Sequence, residues 1–220
     1  MKLLLFQSNL PQTHLAPNYK HHILENDISQ RVNTYELEAH MLKREKELIL
    51  LQNTTDTEAL RYKFFNEEIF KKPYMISFID VLREHINFYF EKLMIPTPDR
   101  LWLQMWCNIL KKDEKIEIHQ HSYDEKSLLS GNLCLKTENT NTHYINPHNY
   151  FAKNNEIYNS KNVRGKLTLF PSIIPHATDV VQTDEVRITI AFDVLVADDI
   201  KLVQSKKKRY DLFKENVVEL

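Results

Sequence analysis

Glycine is nearly absent from this sequence: among 220 residues there are two, Gly131 and Gly165. Phosphate loops of the dinucleotide and P-loop types need several glycines at fixed offsets, because only a backbone without side chains wraps a phosphate that closely; both are excluded. Cysteine is equally scarce. Cys107 and Cys134 cannot build a disulfide framework, and both lie in apolar runs, which marks them as reduced core thiols and points to a cytoplasmic protein. No apolar stretch approaches the roughly 20 residues of a membrane span. The opening run to Phe6 is too short for a signal peptide before Gln7-Ser8-Asn9 ends it, so no membrane association is expected. Excess charge is missing too. A net charge of -1 gives no global attraction to nucleic acid or to an anionic surface. The short basic run Lys206-Lys207-Lys208-Arg209 reads as a solvated helix end rather than a nucleic-acid patch.

What is present suffices for a packed core, with 42% hydrophobic and 27% charged residues. The patterning changes near residue 100. Before it the periods are helical. Asp27 is placed to cap a helix carrying Ile28, Val32, Tyr35, Ala39 and Leu42. A second helix is expected from Asp56-Thr57-Glu58 to Phe70, and a third between Pro73 and Pro96 on the stripe Ile79, Leu82, Ile86, Tyr89 or Phe90, Leu93. After residue 100 the period becomes two. Leu101, Leu103, Met105, Cys107 and Ile109 alternate with Trp102, Gln104, Trp106 and Asn108, and 115–121 continues in kind. Further strands are expected at 129–136, 140–145, 165–170 and 186–196, with a polar, Asn-rich loop over 146–164. The fold class is therefore mainly β with packed helices, an antiparallel barrel or sandwich. A helical part, residues 1–100, packs on a β core at 101–197, followed by a tail or helix at 198–220.

Candidate chemistry starts at His119-Gln120-His121. Residues two apart on a strand project from the same face, so the imidazoles share one surface; two neutral imidazoles suit a divalent transition metal. Surface or core histidines would look the same at this point. Downstream, Gly165-Lys166-Leu167-Thr168-Leu169-Phe170-Pro171 reads as a turn into a strand stopped by proline, and His176 follows. In the next strand Arg187, Thr189 and Ala191 share a face opposite Ile188, Ile190 and Phe192. An arginine on a buried face needs an anion, and its planar fork fits a carboxylate bidentately, with the Thr189 hydroxyl as a further contact. The plain alternative for Arg187 is a salt bridge to Asp193 or Glu185.

The ordered set comprises Trp106-Cys107-Asn108, His119-x-His121, Ser130-Gly131, Asn146-Pro147, Gly165-x-Leu-x-Leu-Phe-Pro-Ser, His176 and Arg187-x-Thr-x-Ala-Phe. Over roughly residues 101–195 it resembles the 2-oxoglutarate/Fe(II)-dependent oxygenases found in many marine phages and bacteria. The resemblance implies a double-stranded β-helix, or jelly roll, and a dioxygenase that couples 2-oxoglutarate decarboxylation to oxidation of a substrate by O2. It implies Fe(II) on His119, His121 and His176, with His121 where most such oxygenases place Asp or Glu. Arg187 and Thr189 would hold the distal carboxylate of 2-oxoglutarate, and Asn108 the cosubstrate or an iron-bound water. Glu125 or Asp124 stands near enough in sequence to supply a carboxylate instead of His121. Tyrosines that often follow Ser-Gly in that family are replaced here by Asn132-Leu133-Cys134.

Two other readings stay open. A cupin-type metalloprotein would use His119, His121, Glu125 and His176 without 2-oxoglutarate, although Ile173 stands where the second cupin motif wants glycine. A non-catalytic jelly-roll binding protein is the other. The substrate class is open among peptide, nucleobase or nucleotide, and small metabolite. His143, His148, Tyr150, Phe151 and Tyr158 are candidates for a substrate channel.

Overall fold

The chain begins with strands rather than helix. A computed structural model describes residues 1–7, 14, 19–121, 127–137, 139–146, 156–196 and 216–220. Within it β1 (Lys2–Gln7) and β2 (Lys20–Asp27) pair antiparallel, Lys2 opposite Glu25 and Gln7 opposite Lys20. This corrects the expectation of a purely helical start. Asp27 ends β2 instead of capping a helix: its carboxylate accepts the Ser29 amide at 2.9 Å, and the Ile28 amide donates to the Gly165 carbonyl at 2.9 Å, which fixes a turn. Helix α1 (Thr34–Gln52) starts seven residues after Asp27, where the Asn33 side chain accepts the Glu36 amide at 3.2 Å. Ile28 and Val32 are buried as their spacing suggested, but from the turn.

The expected helix over 56–70 is broken. Helix α2 (Thr57–Leu60) runs into a 3-10 turn at Arg61–Lys63, and α3 (Glu67–Phe70) starts afresh where Asn66 caps the Ile69 amide at 3.0 Å. Helix α4 (Pro73–Lys92) matches its sequence signal, with proline in the first turn, where no amide donor is needed.

The second half supplies β3 (Leu101–Leu110), β4 (Ser127–Lys136), β5 (Asn141–Ile145), β6 (Ile157–Lys161), β7 (Lys166–Pro171), β8 (His176–Thr178), β9 (Arg187–Val196) and β10 (Val217–Glu219). They form two antiparallel sheets, ordered β1-β2-β7-β4-β9-β3-β10 and β6-β5-β8. Strand β6 lies inside the stretch expected to be loop; pairing with β5, Tyr144 opposite Tyr158, orders it despite its polar sequence. Residues 147–155, with His148, Tyr150 and Phe151, lie outside the described residues, as do Asp124, Glu125 and Lys206–Arg209. The end of the expected tail or helix is a strand on the edge of β3. Segment 115–121 is not a regular strand either. It runs beside β8 through scattered backbone bonds and a single bridge in which His119 and His176 exchange both amides, at 3.0 and 2.9 Å.

The period of two decides how the large sheet is used. One face carries Leu103, Met105, Cys107, Leu133, Ile188, Ile190 and Phe192 against Leu37, Met41, Phe78, Leu82 and Ile86 of the helices, in one apolar core. Each fully buried side chain of this kind contributes about 1.5–3 kcal/mol. The other face, with Trp106, Asn108, Asn132, Arg187, Thr189 and Ala191, turns toward the small sheet and encloses a cavity with it. Tyr144 of β5 and Phe170 of β7 pack edge to face across the sheets, with ring centroids 4.8 Å apart. Among the described residues no helix is long and apolar enough to cross a membrane.

Candidate metal and cosubstrate site

Three histidines meet at the cavity. One ligand atom from each of His119, His121 and His176 lies within 4.8 Å of the others. Two are delivered by the bridge that sets His119 directly opposite His176, and His121 follows on the same face, its amide bonded to the Ser172 carbonyl at 3.0 Å.

The hydrogen bonds fix which nitrogen of each ring is free. His119 Nδ1 donates to the Glu117 carbonyl at 2.8 Å, and His176 Nδ1 to the Ile174 carbonyl at 2.9 Å. His121 Nδ1 donates to the Asp193 carboxylate at 2.6 Å. Each Nδ1 therefore carries a proton, which leaves each Nε2 as the nitrogen offered to the cavity. His119 Nε2 and His121 Nε2 face each other at 3.0 Å, an arrangement that only a shared proton or a cation reconciles. Rings pinned through one nitrogen with the other exposed are how proteins present histidine to a metal. Burial holds His176 well below the usual histidine range, reinforced by the neighbouring His119 and His121; burial also lowers His119. Neutral imidazole, the metal-binding form, is favoured at both.

Arg187 lies deeper in the same cavity. It is among the largest fully buried side chains, and its Nε and Nη1 have no hydrogen-bond partner. Neither carboxylate considered for it is engaged with it: Asp193 takes His121, and Glu185 takes Lys136 at 3.4 Å. Thr189 is two residues along the same face and lines the cavity with it. Asn108 stands opposite Thr189 in the β3–β9 register and lines it too. The cavity thus gathers the six residues that the resemblance assigns to iron and cosubstrate, His119, His121, His176, Arg187, Thr189 and Asn108.

Residues 104–193 match the model of the family described as "Putative 2OG-Fe(II) oxygenase". Fe(II) and 2-oxoglutarate are the cofactors the family uses. No curated protein matches the chain by sequence. Solved structures resemble it distantly. A Pseudomonas putida prolyl-4-hydroxylase aligns at 13% identity over 58% of this chain and 68% of that one, TM-score 0.45. A Burkholderia pseudomallei oxidoreductase of the 2OG-Fe(II) oxygenase family gives 13% over 56% and 58%, TM-score 0.43. SnoN, a non-heme alpha ketoglutarate dependent epimerase of nogalamycin biosynthesis, gives 12% over 44% and 48%, TM-score 0.37. The chain spans about half of this last protein.

The site also contains residues that the sequence alone does not single out. Asp193, in sequence terms a partner for Arg187, lies on the face that the alternation gives to Arg187, Thr189 and Ala191, and in the fold it bonds His121 instead. Trp106 lines the cavity, its ring 5.4 Å from His121, and Asn132 lines it from β4. His143 is not a cavity residue. It faces away, bonded through Nδ1 to Asn159 at 2.7 Å and through Nε2 to Asp179 at 2.6 Å. Tyr158 packs on Phe6 and Tyr144 instead of lining a channel.

Proposed function

We propose that the chain is a 2-oxoglutarate- and Fe(II)-dependent oxygenase. Residues 101–197 would form a double-stranded β-helix, with the helices before residue 100 packed on the outer face of its large sheet. His119, His121 and His176 hold the iron, and Arg187 and Thr189 receive the distal carboxylate of 2-oxoglutarate. The observation that carries this reading is Arg187, a guanidinium with two unpartnered nitrogens, buried in the cavity that His119, His121 and His176 also line. An unpaired charge in that position costs several kcal/mol unless an anion joins it. A dicarboxylate with one end on Arg187 and the other toward the histidines supplies that anion. The donors fit the metal as well, since three neutral imidazoles suit a borderline divalent ion such as Fe(II).

When bound, iron and 2-oxoglutarate supply the oxidising chemistry, in which O2 is consumed, 2-oxoglutarate becomes succinate and CO2, and an organic substrate is oxidised. The protein's part is placement. The two backbone carbonyls and Asp193 keep the rings in one tautomer and orientation. Arg187 and Thr189 fix the far end of the cosubstrate, and the Asn108 amide, across from Thr189, offers it a donor. Phe170, its ring centroid 4.8 Å from that of His176, packs against that buried ring, and Trp106 packs beside His121.

The test is succinate released from 2-oxoglutarate by the Fe(II)-loaded protein under O2. We expect release by the wild type and loss of at least about 100-fold in His176→Ala and Arg187→Ala, the latter through 2-oxoglutarate affinity, because Arg187 makes a buried charge-assisted contact. Metal binding without any 2-oxoglutarate turnover would instead favour a cupin-type or non-catalytic barrel. Absence of metal binding would remove every metal-based reading.

A further inference from the structure

The histidine set raises a question of charge. Three neutral imidazoles bring no negative charge to a divalent ion, whereas a two-histidine, one-carboxylate set brings one. Asp193 lies directly behind the third imidazole. Its Oδ1 is 2.6 Å from His121 Nδ1, and the side chains of both are largely buried, 13% and 10% exposed. Its other hydrogen bond comes from the Ser130 hydroxyl at 2.7 Å, and Ser130 is braced in turn by the Ser172 hydroxyl at 2.9 Å. Among the described residues no lysine or arginine pairs with Asp193.

A carboxylate this enclosed, with only an imidazole and a hydroxyl for partners, is costly until positive charge arrives nearby. The natural place for that charge is the far nitrogen of the same ring, His121 Nε2, where the metal would sit. Strand register makes the arrangement firm. Asp193 is paired with Gln104 on one side and Ser130 on the other, in the middle of the large sheet, so it has little freedom to turn away.

We propose that Asp193 is the relocated carboxylate of this metal site. It acts through His121, as a positioning and charge-compensating residue, and does not touch the metal. Hydrogen bonding to the carboxylate makes the imidazole a stronger donor, so one negative charge is delivered to the ion through the ring. This rests on the assignment of His121 as a ligand in the proposed oxygenase site.

The experiment titrates the metal-free protein with Co(II), a spectroscopic stand-in for Fe(II), without 2-oxoglutarate. Affinity is read by chelator competition and ligand geometry by the visible absorption bands. Asp193→Asn keeps the shape and an oxygen able to accept from Nδ1 but removes the charge; Asp193→Ala removes both. We expect Asp193→Asn to weaken Co(II) binding by about 10-fold and shift the bands, and Asp193→Ala to weaken it by up to about 100-fold. Melting of the metal-free Asp193→Asn protein should be unchanged or higher, while the rise on adding Co(II) shrinks. A merely structural carboxylate would lower the metal-free melting temperature instead. Wild-type affinity in both variants would overturn the proposal. Weakening in Asp193→Ala alone would also overturn it, leaving Asp193 as a steric prop. If the wild type itself binds no Co(II), the reading of the three histidines as a metal site fails first, which is a separable result.

Discussion

His85 sits on α4, fully buried, with Nδ1 donating to the Val81 carbonyl at 2.6 Å and Nε2 accepting from the Asn26 amide at 2.9 Å. Both ring nitrogens are satisfied by the neutral form, and burial lowers the pKa. The unfolded chain, where the pKa is ordinary, takes the proton more readily. Stability is therefore full above the unfolded value of about 6.5 and declines as pH falls toward the lowered folded value. Urea unfolding at pH 7 and pH 5 should show a lower midpoint at pH 5, and His85→Leu should flatten that dependence; an unchanged slope would contradict this account of the residue. His176 and Arg187 were legible from sequence for a simple reason. A proline-stopped strand before one and strict alternation around the other state which way a side chain faces. Asp193 is legible on the same rule, but a carboxylate on that face pairs on paper with the arginine as readily as with a histidine. In the folded chain the His121 ring reaches it, at 2.6 Å.

Strand β4 depends on Gly131 in a way its alternation hides. A Cβ there would lie 2.5 Å from the Phe192 ring and 2.5 Å from the Thr168 carbonyl oxygen. One neighbour is a core aromatic and the other is backbone, so neither yields cheaply. Gly131→Ala should cost about 1–3 kcal/mol. For a chain of this size that lowers the melting temperature by roughly 2–10 °C, measurable by calorimetry; an unchanged transition would show that Phe192 can move aside. Elements with strong local signals were readable: α4 from Pro73 and its stripe, β3, β7 and β9 from alternation. Elements made by pairing were not. Strand β2, Lys20–Asp27, has two half-buried histidines and no clean alternation, and it is a strand because β1 and β7 flank it. Strand β6 reads as loop until β5 lies beside it. The segment leading to His121 reads as a strand but is irregular, because its contacts with β8 are spaced unevenly.

Across the whole molecule, ligand binding should be visible as stability. A ligand that binds only the folded state at 100 times its dissociation constant adds about 2.7 kcal/mol, or roughly 5–10 °C in melting temperature for a chain of this length. Co(II) should give one increment and 2-oxoglutarate a second. Arg187→Ala should keep the first and lose the second, as followed by thermal shift; loss of both would mean that Arg187 supports the fold rather than the cosubstrate.

The exchange of amides between His119 and His176 carries a last consequence. This bridge is the one point of regular pairing between segment 115–121 and β8, and both residues that make it offer a ring to the same point in space. Opening the bridge parts the rings, and joining the rings holds the bridge shut. Amide hydrogens of His119 and His176 should therefore exchange with solvent more slowly when Co(II) is present, by a factor that grows with metal concentration. The site would then work as a clasp, fastening a loosely paired edge of the small sheet only while it is loaded.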